Sequence, residues 1–316
     1  MFCSILDAID SYESIVIYRH LNPDGDAFGA QFGLTQWIKD NYPNKTVIAF
    51  GKDQDRHHYF PLCDVNDDIN WSNTLAIVVD CANRERLDDE KTFDQCAMSI
   101  KIDHHPNVDS FCQTNYVDTA SAATCQILME MFQQAELMIS VQTATYLAYG
   151  IVTDSVNFSA AYTSVNTLTA YTKCMEAGLD HVELFKNTSQ LPLNEYNGIT
   201  YLRSKVNVSN GVAYCIIKQE DVLANGFSME QLKDHVNVMK GIEGVEVWGL
   251  FYEKEDHKYR VSLRSYRVNI NPIALRHHGG GHQQASGCNA SNEKEIQCIV
   301  DELIQAVNIH KNAEII

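Results

Sequence analysis

Ile15-Val-Ile-Tyr-Arg-His-Leu-Asn-Pro-Asp-Gly-Asp-Ala-Phe-Gly-Ala30 is a short apolar run that ends abruptly in side chains suited to metal. Ile15 to Tyr18 are β-branched or aromatic, which fits a buried parallel strand. Asn22-Pro23 and Asp24-Gly25 stop it, because proline biases its predecessor toward extended backbone and glycine opens turns that other residues resist. The loop that follows carries His20, Asp24 and Asp26. In open α/β sheets, ligands collect at the carboxyl ends of strands. Two carboxylates so close together repel each other unless a cation lies between them. Taken alone, the stretch fits an acidic turn with a chance histidine equally well, so the other strand ends decide.

Phe28 to Tyr42 reads as a helix, with Phe28, Phe32, Leu34, Trp37 and Ile38 as its apolar stripe and Asn41-Tyr42-Pro43 as its stop. Thr46 to Phe50 is a second strand, which makes a parallel βαβ unit. Thr74-Leu-Ala-Ile-Val-Val-Asp80 repeats the opening pattern, and packing alone gives no reason to end a buried strand in an unpaired carboxylate. Arg84 and Arg86 follow, as anion contacts or as ordinary loop solvation. Ser99-Ile-Lys-Ile-Asp103-His104-His105-Pro106 is the third instance, delivering an acid and two histidines in a row. Together these residues form a mixed oxygen and nitrogen donor set on three strand ends. Val141 to Val152, helix or strand by pattern, runs into Asp154, a fourth acid that closes an apolar segment. His57-His58 point opposite ways on an extended segment, which favours a surface or substrate-side loop.

Ala120 to Gln134 has a helical pattern in which Ser121 can cap the N-terminus and free N–H groups can face an anion. Another helix spans Ser164 to Ala177, with Gly178 as its stop. The pattern weakens from Phe185 to Tyr201, where a connecting helix fits on either side of Pro192. Beyond it, Val212 to Ile217, Val245 to Tyr252 and Tyr259 to Leu263 read as strands, and Glu230 to Met239 as a helix. His277-His278-Gly279-Gly280-Gly281-His282 comes next; its glycines leave backbone N–H groups open to a phosphate or sugar, and His282 offers a donor. The fold class is therefore α/β: an N-terminal parallel sheet with flanking helices over 1–185, a linker over 186–203, and a smaller α/β domain with a mixed sheet over 204–316.

A chain of 316 residues is long enough for these two cores. Its formal net charge of -17 argues against long duplex nucleic acid, whose phosphates need clustered Lys and Arg. Short anionic substrates stay open, because a metal centre supplies positive charge locally. The ten cysteines form no Cys-x-x-Cys pair and lie among apolar segments, as reduced buried thiols do. The first ten residues lack the basic start and apolar core of a signal peptide, and no apolar run approaches the ~18 residues of a membrane span. A cytoplasmic protein is expected, with homodimerisation left open.

Taken in order, these motifs resemble the DHH phosphoesterase family over nearly the whole chain. Its His-x-x-x-Asp-x-Asp opening is similar to His20, Asp24 and Asp26, its lone strand-end acid to Asp80, its naming triplet to Asp103, His104 and His105, and its fourth motif to Asp154. Val261-Ser-Leu-Arg264, Val268-Asn-Ile-Asn-Pro-Ile-Ala274 and Gly279 to His282 resemble the DHH-associated domain. The resemblance implies two divalent cations, for which the ligand types suit manganese and leave iron, cobalt and zinc open, with His20, Asp24 and Asp80 holding one and Asp26, Asp80, His104 and Asp154 the other. It also implies His105 at the phosphate or leaving oxygen, Asp103 orienting a histidine, and Arg264, Gly279, Gly280, Gly281 and His282 on the substrate. The compact layout looks most like the nano-RNases, which degrade very short oligoribonucleotides and dephosphorylate adenosine 3′,5′-bisphosphate. Stand-alone cyclic-dinucleotide phosphodiesterases share that layout and form the alternative. A nucleotide sensor that has lost catalysis is disfavoured, since every expected ligand is present. Two departures bear on substrate preference: His278 stands where the first of four glycines is usual, and Ala122-Ala123-Thr124 replaces Ser-Ser-Thr.

Overall fold

The computed structural model describes residues 2–51, 59–64, 69–233 and 235–314, and His57 and His58 lie outside them. Ser14–Tyr18 forms β1, across which side chains alternate: Ile15 and Ile17 join one buried cluster, Val16 and Tyr18 another. A strand apolar on both faces has to be covered on both, which a doubly wound sheet achieves. The chain divides into two compact units, Met1–Gln190 and Leu191–Ile316.

In the first unit, Cys3–Ser11 (α1) precedes β1, and Gly25–Asn41 (α2) leads to Thr46–Ala49 (β2). Thr74–Val79 (β3), Glu90–Phe93 (α3), Met98–Asp103 (β4) and Thr114–Val117 (β5) follow, then Thr124–Ala135 (α4), Val141–Asp154 (α5), Val165–Glu176 (α6) and His181–Ser189 (α7). All strand pairs are parallel, in the order β2-β1-β3-β4-β5. That order switches direction between β1 and β3, and sheets of this kind take ligands at the carboxyl ends beside such a switch. Tyr18 pairs with Val78, and Val79 with Ile102, so the three central strands end level.

The helix expected from Phe28 begins three residues earlier and is buried nearly all round. Gly25, Gly29 and Gly33, spaced by four, share one of its faces. α5 lies on that row: a Cβ at Gly29 would come within 2.6 Å of the Tyr146 carbonyl oxygen, and one at Gly33 within 2.6 Å of Leu147 Cδ2. Any side chain there would overpack the contact. Val141 to Val152 is thus helical, and Asp154 closes a helix where His20, Asp80 and Asp103 close strands. α4 starts at Thr124 and not at Ala120, with Ala123 at its N-cap; Ser121 is no cap, and its hydroxyl donates to Asp118 Oδ2 at 2.8 Å. The helix from Ser164 has its capping box, formed with Thr167, and Gly178 behind it takes φ +99°.

The second unit runs through Leu193–Ser204 (α8), Asn207–Ser209 (β6), Val212–Ile217 (β7), Gln219–Ala224 (α9) and Met229–Leu232 (α10). Then come Val247–Glu253 (β8), Tyr259–Ser265 (β9), Asn271–Arg276 (α11), Gly280–Gly281 (β10), Ala285–Ala290 (β11) and Glu293–Glu314 (α12). Its six-stranded sheet is mixed, parallel only at β7–β8, in the order β10-β11-β9-β8-β7-β6. Alternate strand residues again feed two cores, Val212, Phe251 and Val261 on one face and Ala213, Cys215 and Leu250 on the other. The single helix expected over Glu230 to Met239 is instead α10 and a 3-10 turn at Val236–Met239, a stretch where valine and asparagine favour helix weakly. Within 186–203, α7 ends and α8 begins, with Pro192 at the N-cap of α8. The ten cysteines are free thiols. Among the described residues no helix is long and apolar enough to cross a membrane.

Candidate metal centre

His20 follows β1, Asp80 follows β3, and Asp103, His104 and His105 straddle the end of β4. Asp24 and Asp26 open α2, and Asp154 closes α5. These eight residues converge. The donor atoms of His20, Asp24 and Asp80 lie within 4.8 Å of one another, and so do those of Asp26, His104 and Asp154. Asp80 faces both groups with different oxygens, Oδ2 at 3.5 Å from His20 Nε2 and Oδ1 at 3.5 Å from His104 Nε2. Its backbone sits at φ +53°, in the left-handed region that costs a non-glycine residue about 1–3 kcal/mol.

Local hydrogen bonds fix which atoms face inward. The helix-capping oxygen of Asp24 accepts the Asp26 and Ala27 N–H groups, each at 3.1 Å, and leaves its second oxygen toward His20. His20 Nδ1 donates to the Leu21 carbonyl at 2.7 Å, so the lone pair of the neutral ring is on Nε2, facing Asp24 and Asp80. Arg86 brings its guanidinium to 3.2 Å from that ring. Asp26 is fully buried, and its carboxylate accepts the Thr124 N–H at 2.6 Å and the Cys125 N–H at 3.0 Å. The N-terminus of α4, expected to be free for an external anion, is therefore occupied by a carboxylate of the chain itself. Thr124 also donates its hydroxyl to Asp80 Oδ1 at 3.1 Å. In the sequence Thr124 stands only as the remnant of a small-hydroxyl motif, and the signal for its role is a hydroxyl at the first turn of a helix.

His104 Nε2 is buried without a hydrogen-bond partner, yet stands 3.2 Å from Asp154, 3.5 Å from Asp80 and 3.9 Å from Asp26. An orphaned ring nitrogen aimed at three carboxylates, among oxygen donors, is a set that divalent metal fits. His105 differs: Asp103 Oδ1 accepts both its N–H at 3.2 Å and its Nδ1–H at 2.9 Å. Asp80 also lies 3.4 Å from Nδ1, but the proton held by Asp103 leaves that nitrogen no lone pair for a cation. Nε2 is then the free end of a ring about one-third exposed.

The crowding of acids polarises every group. Burial works against the charged imidazole, yet Asp24 and Asp80 raise His20 to about 10, and Asp154 with its neighbouring acids raises His104 to about 9. Hydrogen bonds to Asp103 and Asp80 lift His105 to about 10. Burial and the charges of Asp80 and Asp154 push Asp26 well above the usual carboxylate range, and burial pushes Asp154 up too. Asp80 is held low against its burial by His105 and His20.

In the second unit, Arg264 lies on β9 opposite Ala285 of β11, and the Ala285 carbonyl accepts the His282 N–H at 2.8 Å. Arg264 and the glycine-histidine turn are thus neighbours. Of the three glycines, Gly280 has open space where a side chain would stand, whereas Gly279 and Gly281 press on the backbone of β11. His278 takes φ +56°, the left-handed conformation that glycine adopts readily, so it keeps the turn's shape under strain. His277, by contrast, is spent on structure, with its ring nitrogens 3.1 Å from Glu295 and 3.2 Å from Glu302.

Residues 14–151 match the DHH family, N-terminal domain, and residues 209–308 match the DHHA1 domain. The chain is 34% identical over 303 residues to the probable bifunctional oligoribonuclease and PAP phosphatase NrnA of Streptococcus mutans, covering 96% of this chain and 97% of that one. With the bifunctional oligoribonuclease and PAP phosphatase NrnA of Bacillus subtilis it shares 30% identity over 307 residues, again covering 96% and 97%. An exopolyphosphatase-related protein from Bacteroides fragilis has the same fold, with a TM-score of 0.78 at 19% identity over 99% of this chain and 96% of that one. The chain belongs to the DHH phosphoesterase family and carries both the DHH and the DHHA1 domain.

Proposed function

We propose that this protein hydrolyses phosphoester bonds in RNA of two to about five nucleotides, and in adenosine 3′,5′-bisphosphate, using two divalent cations, with manganese as the native ion. The observation that carries the metal reading is Asp80, one carboxylate with an oxygen toward each of two donor groups. His20, Asp24 and Asp80 would hold one ion, and Asp26, Asp80, His104 and Asp154 the other. Bound there, a metal pair acidifies a water and neutralises charge on the phosphoryl oxygens.

The chain's own groups do the rest. Thr124 and the first N–H groups of α4 keep Asp26 and Asp80 in place. Asp103 holds the His105 ring at Nδ1, which would leave Nε2 of the imidazolium to hand a proton to the departing oxygen. Arg264, His282 and the open backbone at Gly280 would take the distal phosphate or nucleotide edge. The names of the two bacterial relatives support the choice of substrates. Free thiols throughout suit a reducing cytoplasm.

Purified protein with manganese, offered adenosine 3′,5′-bisphosphate, RNA dimers to pentamers, a strand of about twenty nucleotides and cyclic dinucleotides, tests this reading. Hydrolysis is expected to be fastest on the short linear RNAs and to fall steeply with length. Equal rates on the dimer and the long strand would contradict it, and preference for the cyclic substrate would replace it with a cyclic-dinucleotide phosphodiesterase.

A further inference from the structure

Lys101, fourth in β4, is fully buried and has no part in the chemistry above. A buried ammonium is costly unless acceptors replace its hydration, and it has three protons to place. Lys101 Nζ places all three: on the Asp109 carbonyl at 2.8 Å, the Ala82 carbonyl at 3.4 Å and Asn107 Oδ1 at 3.4 Å. Ala82 belongs to the loop after Asp80, and Asn107 and Asp109 to the loop after His105. One cation therefore fastens both loops. A direct bond between them backs it up, the Arg84 N–H to the Asp109 carboxylate at 3.0 Å.

Asp103 completes the arrangement. Its Oδ1 holds the His105 ring, while its buried Oδ2 has no hydrogen-bond partner and lies 3.9 Å from Lys101 Nζ. Imidazole and ammonium thus flank the two oxygens of one buried carboxylate. We propose that Lys101 is a positioning residue for the His105 imidazole, acting through Asp103, with Ala82, Asn107 and Asp109 holding its ammonium in place. The inference rests on the proposed role of His105 toward the substrate.

The test uses the full chain loaded with manganese, an RNA dinucleotide, and the variants K101M, D103N, K101M/D103N and H105A. K101M keeps most of the side-chain volume and is expected to lower kcat by about tenfold to a hundredfold, the scale of a small misplacement of a reacting group. Its KM and its calorimetric manganese affinity are expected to stay within about threefold, because neither depends on the His105 ring. In the D103N background the same change is expected to cost less than about threefold more, since residues that act through one another are not additive. An undiminished kcat in K101M, an equal penalty in both backgrounds, or a parallel loss of manganese affinity overturns the inference. If H105A itself turns over normally, the role of His105 fails; if H105A is impaired and K101M is not, only the part given to Lys101 fails. Should K101M not fold, N107A removes one acceptor at the surface, and its expected loss of kcat must likewise vanish in the D103N background.

Discussion

At the sheet edge of the first unit, Asp26 and Asp80 are 0% and 1% exposed, and His104 Nε2 and Asp103 Oδ2 are buried without a hydrogen-bond partner. In the turn of the second unit, His278 and His282 are exposed and Gly280 borders open space. Enclosure raises the strength of electrostatic interaction and the cost of error alike. A change at the sheet edge should therefore damage chemistry, and one in the turn should damage binding.

The largest effect is expected from D80N, which keeps the shape and removes the charge that both donor groups share. Turnover should fall by about a thousandfold or more while the fold survives, as checked by circular dichroism beside the rate assay. Near-normal activity at saturating manganese would break the contrast at its stronger end. Next comes G29A in the helix row: its Cβ would meet the Tyr146 carbonyl, so a stability loss of about 1–3 kcal/mol is expected in urea. Manganese affinity should drop as well, because the same contact sets Asp154 beside Asp26. Unchanged stability and affinity would mean that α5 yields without cost.

R264A and H282A sharpen the other side. Each is expected to raise KM on a dinucleotide by about tenfold, with kcat also suffering, since remote binding supports turnover. A small artificial phosphodiester without distal contacts should be cleaved nearly as before. Parallel loss on both substrates would move these residues into the chemistry. Smaller still is H278G, which relieves a left-handed histidine and should stabilise the protein by about 1 kcal/mol with kcat unchanged.

Much of the sheet edge was legible because a buried strand needs no acid for packing. Ile15 to Tyr18 and Thr74 to Val79 run apolar toward a ligand-type side chain, Ser99 to Ile102 reaches Asp103 with Lys101 inside it, and each is a strand there. Helix contacts were not legible. Periodicity shows that Gly25, Gly29 and Gly33 share a face, but not that α5 occupies it, so pattern alone leaves the segment before Asp154 open between helix and strand. Ser121 looked like a cap because residue type favours it there, yet the helix began at Thr124, where Asp26 supplies the acceptor from 98 positions away. Lys101 gave no sequence signal, since one basic residue within a strand reads as an edge or an exposed face.

Protonation offers a further contrast between loaded and metal-free protein. The imidazoles of His20, His104 and His105 titrate higher in the fold than their usual 6.5, at about 10, 9 and 10. Their contribution to stability is present in full below about pH 6.5 and is lost as pH rises through 9 to 10. The raised Asp26 and Asp154 act in the same direction, while the lowered Asp80 loses its contribution only on acidification below the usual carboxylate range. Metal-free protein should thus melt progressively lower from pH 7 to 9, and saturating manganese should flatten that slope because cations replace the protons. Equal slopes with and without metal would contradict the donor assignment.

The proposed sharing of Asp80 by two cations is tested most directly by electron paramagnetic resonance of the manganese-loaded protein. The expected result is two bound ions per chain with the spectrum of an exchange-coupled pair, a coupling that D80N abolishes. A single bound ion, or two ions with uncoupled spectra in the unaltered protein, would contradict the account.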